Sequence, residues 1–202
     1  MTPDAVAAVY LDGVRAVERI AGGLADPQWD LPACGAWTAT ETARHLAAVA
    51  GWYHEWLDRA LVGELSRPFP AESIDAYTAA SLDVHRDLDG PGAVAAFATS
   101  ATAYLDRARQ HWDLPFSFPF GTVTVGLHAG VAATEWHLHA WDLSQLTGRR
   151  HEPTDADRLL VAAAQCVAAA DGGVKAALVR RFAPLAARRA PWLTLLRRSG
   201  RA

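Results

Sequence analysis

A glutamate and a histidine interrupt the apolar face of a helix near the middle of this chain. The segment TEWHLHAWDL holds Glu135 and His139 four residues apart, so both side chains lie on one face of an α-helix. The same face carries apolar side chains at three- and four-residue steps: Leu127, Val131, Leu138 and Leu146. A carboxylate on a core-facing stripe needs a partner, because burying a lone charge is very costly. Another element must therefore bring a compensating group against this helix.

A third candidate for the same site lies ninety residues upstream of Glu135. His45 belongs to the helical segment WTATETARHLAAV, which begins with a capping box that gives Glu41 a structural role. Two imidazoles and one carboxylate can bind a divalent ion and leave coordination positions open. The sequence therefore predicts a metal site made of His45, Glu135 and His139. A buried Glu–His or Glu–Arg pair without a metal is the alternative that spacing leaves open.

Other polar residues near Glu135 have different expected roles. Asp142 shares its helix face and is a candidate to orient a ligating imidazole, whereas His137 points elsewhere and is either exposed or a supporting group behind the ligands. His128 lies about 10 Å along the helix from Glu135, too far to share one ion. The remaining histidines have no partner at metal spacing and are expected at the surface or at helix ends: His54, His85, His111 and His151.

The composition favours an all-α protein. Apolar residues make up 51% of the 202 residues, in long segments rich in Ala, Leu and Val. We expect helices over about 3–22, 38 onward, 72–88, 93–112, 126–147 and 154–170, and a short hairpin or extended insertion at 116–125. Residues 1–148 would form a metal-binding four-helix bundle, and residues 149–202 a helical extension packed on it, within a single domain overall.

The cysteine content indicates the cytoplasm, because Cys34 and Cys166 are too few for a disulfide scaffold. Cys166 is expected to be a buried inert thiol, and Cys34 a packed small side chain without a basic neighbour. No run of apolar residues is long enough for a membrane span. The start MTPDAVAAVY lacks the layout of a signal peptide.

The net charge of −3 hides a basic C-terminal segment. From Lys175 onward the chain has no acidic residue and eight basic ones: Lys175, Arg180, Arg181, Arg188, Arg189, Arg197, Arg198 and Arg201. Such a segment can contact nucleic acid, but we expect a solvated helix face and no nucleic-acid partner. Arg180 and Arg181 are candidates to anchor substrate carboxylates, with a surface position as the alternative.

Three segments together carry a family resemblance. Residues 37–46 (WTATETARHL), residues 135–143 (EWHLHAWDL) and the closing Thr-Gly-Arg at 147–149 stand in an order that is fairly specific. They resemble the mycothiol-dependent maleylpyruvate isomerase N-terminal family, part of the DinB-like superfamily of metal-binding four-helix bundles. The resemblance implies a DinB-like bundle in which His45, Glu135 and His139 bind a divalent ion, usually zinc, with nickel or another divalent ion left open.

The resemblance also implies small-thiol chemistry. A low-molecular-weight thiol such as mycothiol or bacillithiol would be a cosubstrate, and metal-bound thiol or water would attack a small electrophile in a transferase-like or isomerase-like reaction. Residues 149–202 are too few for the separate C-terminal domain of the true isomerases, so we do not expect maleylpyruvate isomerisation itself. One lysine against eighteen arginines fits a high-GC bacterium, and the C-terminal stretch resembles the tail of the short actinobacterial members of the family. A homodimer, and a non-catalytic metal- or ligand-binding protein, remain open.

Overall fold

The computed structural model describes residues 1–68, 74–169 and 190–201 and shows an all-α architecture. Its helices are α1 (Pro3–Ala21), α2 (Ala39–Leu61), α3 (Ile74–Val84), α4 (Gly90–Gln110), α5 (Val125–Ser144), α6 (Ala156–Ala169) and α7 (Pro191–Arg198). Short 3-10 turns occur at Asp26–Asp30 and Gln145–Thr147. The predicted fold class is confirmed, and α3 ends at Val84, before the end of the helix expected over 72–88.

Side-chain caps explain where the long helices begin. Thr2 caps α1, Asp89 caps α4 and Thr124 caps α5, each accepting a hydrogen bond from a backbone N–H of the first turn. At the start of α2, the Thr38 hydroxyl accepts from the Glu41 amide at 3.1 Å, and the Glu41 carboxylate accepts from the Thr38 amide at 2.8 Å. The capping role predicted for Glu41 is therefore confirmed.

Four helices form the bundle that positions the site. Helices α1 and α2 each pack against both α4 and α5. The largest fully buried side chains of the core include Tyr10, Trp136, Tyr104 and Phe97. Helix α5 is buried on nearly all sides, because α1, α2, α4 and α6 all contact it. Polar residues on different faces of α5 are therefore buried, among them His128, His137 and Asp142.

Two small antiparallel hairpins accompany the helices. Strands β3 (Pro115–Phe118) and β4 (Gly121–Thr124) pair Phe116 with Val123 and form the hairpin expected at 116–125. Strands β1 (Pro32–Cys34) and β2 (Trp37–Thr38) form a second hairpin, which the sequence analysis did not predict. In this hairpin, β1 contacts α5, and β2 leads directly into α2.

The C-terminal elements pack on the bundle through α5. Helix α6 contacts α5, and α7 contacts α6. The Trp192 indole donates a hydrogen bond to the His151 carbonyl at 3.2 Å, which ties α7 to the segment after α5. Arg180 and Arg181, the candidate anchors for a substrate, lie outside the described residues.

Among the described residues, no helix is both long and apolar enough to cross a membrane.

Candidate metal centre

The structure brings the three predicted ligands together. His45 projects from α2, and Glu135 and His139 project from α5. The Nε2 atom of His45 lies 3.7 Å from Glu135 Oε1, and the Nε2 atom of His139 lies 3.2 Å from the same oxygen. The centres of the two imidazole rings are 5.2 Å apart, and the ring planes are inclined by 66°. Two ring nitrogens from different helices therefore converge on one carboxylate oxygen.

These separations fit the coordination sphere of a divalent ion. Two ligand atoms bound to zinc at a tetrahedral angle are about 3.4 Å apart, given metal–ligand bonds of about 2.1 Å. The measured 3.2 and 3.7 Å lie on either side of that value. One ligand atom from each of the three residues lies within 4.8 Å of the others. The chemical types of the ligands also suit a divalent ion, because imidazole and carboxylate together bind zinc, nickel and similar ions.

Ser81 of α3 orients the His45 ring. His45 Nδ1 lies 2.7 Å from the Ser81 hydroxyl oxygen, and that hydroxyl donates its own proton to the Thr78 carbonyl. Ser81 must therefore accept a hydrogen bond from His45 Nδ1–H. The ring is fixed in the tautomer whose Nε2 lone pair faces Glu135, which is the state a metal ligand needs.

Asp142 occupies the corresponding position behind His139. His139 Nδ1 lies 2.9 Å from Asp142 Oδ2, a short contact that lacks the alignment of an ideal hydrogen bond. Asp142 is buried. Arg201 donates a hydrogen bond to each of its oxygens, from Nε to Oδ1 and from Nη2 to Oδ2, both at 2.7 Å. The expectation that Asp142 stands next to a candidate ligand agrees with this geometry; the partnership with Arg201 was not anticipated.

Cys34 lies at the edge of the same cluster. The Arg201 Nη2 atom is 3.7 Å from Cys34 Sγ, and Cys34, His139 and Asp142 also lie close enough together to hold an ion. The expectation that Cys34 lacks a basic neighbour is wrong, because Arg201 approaches it from the far end of the chain. Sequence distance concealed this contact.

Glu135 is less enclosed than its helix stripe suggested. Its side chain is 36% exposed, whereas those of His45 and His139 are 7% and 4% exposed. The buried acid on this face of α5 is Asp142, at 3%. The candidate centre is therefore closed by its imidazoles and open at its carboxylate.

The electrostatics of the cluster follow from burial and from these contacts. Burial lowers the pKa of His45, only partly opposed by Glu135. For His139, burial acts downward, but Asp142, Cys34 and Glu135 together raise its pKa well above the ordinary value. Burial would raise the pKa of Glu135, yet the contacts with His139 and His45 lower it well below its usual range. The cluster therefore has one anionic oxygen facing one neutral and one cationic ring.

An aromatic side chain lies against the candidate centre. The Trp37 ring of β2 is 5.0 Å from the His45 ring, tilted by 45°. Further along α2, Trp52 stacks on Tyr77 of α3 with ring centres 3.8 Å apart. Trp37 therefore places apolar surface against the His45 side of the cluster.

His137 does not support the cluster. It is buried, donates from Nε2 to the Val9 carbonyl at 3.0 Å and pairs through Nδ1 with His151 Nε2 at 2.9 Å, with the two rings stacked. A residue two positions after Glu135 is rotated by about 200° around the helix, so His137 faces α1 instead. The expectations of an exposed or supporting His137 and of a His151 at the surface or at a helix end are both wrong, because α5 is covered on that side too.

His128 is enclosed by aromatic rings. Its Nδ1 atom lies 2.8 Å from the Tyr104 hydroxyl, and the rings of Tyr53 and Phe116 lie 4.4 and 4.3 Å from its own. Burial lowers its pKa to about 3. It is a neutral core residue, separate from the cluster as expected.

The helical bundle and the His–Glu–His cluster define the class as a four-helix bundle with a candidate metal centre. The chain belongs to the mycothiol maleylpyruvate isomerase N-terminal domain family, whose model matches residues 10–144. This range contains His45, Glu135, His139 and Asp142. Comparison with curated proteins and with solved structures gives no match.

Proposed function

We propose that this protein is a divalent-metal-dependent enzyme of small-thiol chemistry, with His45, Glu135 and His139 as the metal ligands. The observation that carries the proposal is the convergence of two imidazole Nε2 atoms on one Glu135 oxygen, at 3.7 and 3.2 Å. Each imidazole also has a polar partner on its Nδ1 side, as ligating histidines usually have.

Zinc is the ion that we propose, and nickel is the alternative with the same preference for imidazole. When bound, such an ion lowers the pKa of a thiol or water beside it and so supplies a nucleophile near neutral pH. Three protein ligands leave coordination positions free for such a molecule.

The protein's own residues hold and shape the centre. Ser81 fixes the tautomer of His45, and Asp142 stands against Nδ1 of His139, so both Nε2 atoms face Glu135. The exposed edge of Glu135 gives a small molecule access from solvent. Trp37 presents an apolar ring beside His45, which excludes water from that side.

The proposed substrates are a low-molecular-weight thiol and a small electrophile, joined in a transferase-like or isomerase-like reaction. The family's description supports the thiol, because it names mycothiol. A cytoplasmic location belongs to the same proposal and is supported by the two free cysteines.

A non-catalytic metal- or ligand-binding protein is the second candidate. One observation favours it: the ion pair between Glu135 and His139, at 3.2 Å, balances the charge of the carboxylate without any further group. On this alternative the cluster is a polar core pair, or it binds an ion that takes no part in a reaction.

Thiol conjugation tests the proposal against this alternative. Zinc-loaded protein is incubated with mycothiol, bacillithiol or cysteine and an electrophilic aryl halide, and loss of free thiol is followed. We expect consumption above the uncatalysed rate with at least one thiol, and its loss in Glu135→Gln. Stoichiometric zinc without turnover of any of the three thiols would instead favour the binding protein.

A further inference from the structure

We propose that Arg201 is a positioning residue of the metal centre, which it stabilises through Asp142 and His139. This inference rests on the proposed metal centre and adds a component to it from the end of the chain. Arg201 lies outside residues 10–144, the range that the family model matches. Three observations support the proposal: how the chain delivers Arg201, how it binds Asp142, and where Asp142 lies relative to His139.

The chain reverses direction at the end of α7, and this reversal turns Arg201 toward the bundle. Gly200 adopts a left-handed conformation with φ +78°, which a residue with a side chain rarely adopts. The Arg201 amide donates to the Leu196 carbonyl at 2.8 Å, and the Gly200 amide donates to the Arg197 carbonyl at 3.3 Å. This pair of bonds is a Schellman motif, and it reverses the chain after α7.

Helix α7 is itself packed on the protein, which fixes the position of the turn that follows it. Trp192, Leu195 and Leu196 are buried, and the Trp192 indole donates to the His151 carbonyl. Arg197, at the same helix end, is exposed to solvent. The two arginines therefore share a helix end and a charge but differ in surroundings, which makes Arg197 a matched control.

The contact between Arg201 and Asp142 is bidentate and largely buried. Nε and Nη2 each lie 2.7 Å from a different oxygen of Asp142, and the side chains are 14% and 3% exposed. A planar guanidinium that meets both oxygens fixes the plane of the carboxylate, which a lysine cannot do with one ammonium group. Asp142 is therefore held in one orientation.

That orientation places Asp142 against His139. The Oδ2 atom that meets Arg201 Nη2 also lies 2.9 Å from His139 Nδ1. Without Arg201, the buried carboxylate would be free to rotate about its side-chain bonds and to recruit water. The His139 ring would then lose the contact that directs Nε2 toward Glu135. Outer partners of this kind commonly change metal affinity by about 10- to 100-fold.

The test compares zinc affinity in full-length variants by competition with a chromophoric chelator. We expect Arg201→Gln to bind zinc about 10- to 100-fold more weakly than wild type, Arg201→Lys to lie between them, and Arg197→Gln to match wild type. The melting temperature of each metal-free variant is measured in parallel. A merely structural Arg201 would lower that temperature and leave zinc affinity unchanged.

Arg201→Gln that binds zinc within about twofold of wild type would overturn the inference. If that variant does not fold, Arg201→Lys decides in the same way. The proposed function fails by a different result, namely His45→Ala binding zinc as tightly as wild type. The two failures are therefore distinguishable in one set of titrations.

Discussion

Ser81 holds His45 by a hydrogen bond of 2.7 Å between the hydroxyl oxygen and the imidazole Nδ1. The serine's own proton is committed to the Thr78 carbonyl, so the bond has only one direction. A single hydroxyl on the short helix α3 thus selects the tautomer of a candidate ligand on α2.

Ser81→Ala should therefore weaken zinc binding without abolishing it. Loss of the acceptor frees the His45 ring to rotate and to change tautomer, and we expect a loss of about 10-fold in zinc affinity. Chelator competition measures it, with Ser100→Ala, a half-buried serine on α4, as the matched control. Equal affinities for Ser81→Ala and wild type would show that the bond does not orient a ligand.

The variant Cys34→Ser tests which of two candidate ligand sets, both of which include His139, binds the ion. His139 belongs both to the cluster with His45 and Glu135 and to a neighbouring group with Cys34 and Asp142. If the first set binds the ion, Cys34→Ser should retain about one zinc per chain with an affinity near that of wild type. Loss of the zinc in Cys34→Ser would instead assign the ion to the second set.

Substitution by alanine should have opposite effects on stability at two helical glycines, because α1 lies close to α5 at Gly13 whereas the space beside Gly51 is open. A Cβ atom at Gly13 would lie 2.9 Å from Trp136 Cβ, so Gly13→Ala should destabilise the protein by about 1–3 kcal/mol. A Cβ at Gly51 of α2 would meet nothing within 4 Å, so Gly51→Ala should stabilise it by about 0.5–1 kcal/mol. Urea unfolding of both variants checks this, and a stable Gly13→Ala would mean that the two helices lie further apart.

His128 should make stability depend on pH. Burial lowers its folded pKa to about 3 from an ordinary 6.5, so between these values the unfolded chain binds a proton that the folded chain does not. The free energy of unfolding is therefore little affected by His128 above pH 6.5. It falls as the pH drops from 6.5 toward 3, and the decrease is about 2 kcal/mol at pH 5.

The variant His128→Gln removes this titration and retains a polar partner for Tyr104. Urea unfolding at pH 5 and pH 8, in the presence of a metal chelator, measures the effect. We expect wild type to lose about 2 kcal/mol more than the variant between the two pH values. An equal loss in both proteins would contradict a neutral, buried His128.

The sequence predicts much of this fold because its helices carry strong local signals. The capping box at Thr38 and the glycine at Gly148 mark helix ends that the structure reproduces. The spacing of Glu135 and His139 places them on one helix face by geometry alone. The pattern also predicts His45 as a third ligand, but it leaves a metal-free pair open, because nothing in it says which helices pack together; the family resemblance then favours the metal site.

The remaining contacts of the cluster depend on tertiary packing. Ser81 is an ordinary serine in an amphipathic segment, and Arg201 is one of many arginines in a basic tail, so neither stands out in the sequence. His137 was misjudged because α5 is buried on several sides, and a stripe defined by Leu127 and Leu138 does not reveal the second buried face. A glycine followed by an arginine at a helix end, as at Gly200 and Arg201, is a signal that could have indicated this contact.

Zinc stoichiometry after equilibrium dialysis tests the central claim most directly. Wild type is compared with His45→Ala, Glu135→Gln and His139→Ala, and with His54→Gln as a control that removes another histidine of α2. Circular dichroism confirms that each protein is helical.

The account predicts about one zinc per chain in wild type and in His54→Gln, and little or none in the three cluster variants. Cluster variants that remain folded and still bind as much zinc as wild type would contradict it.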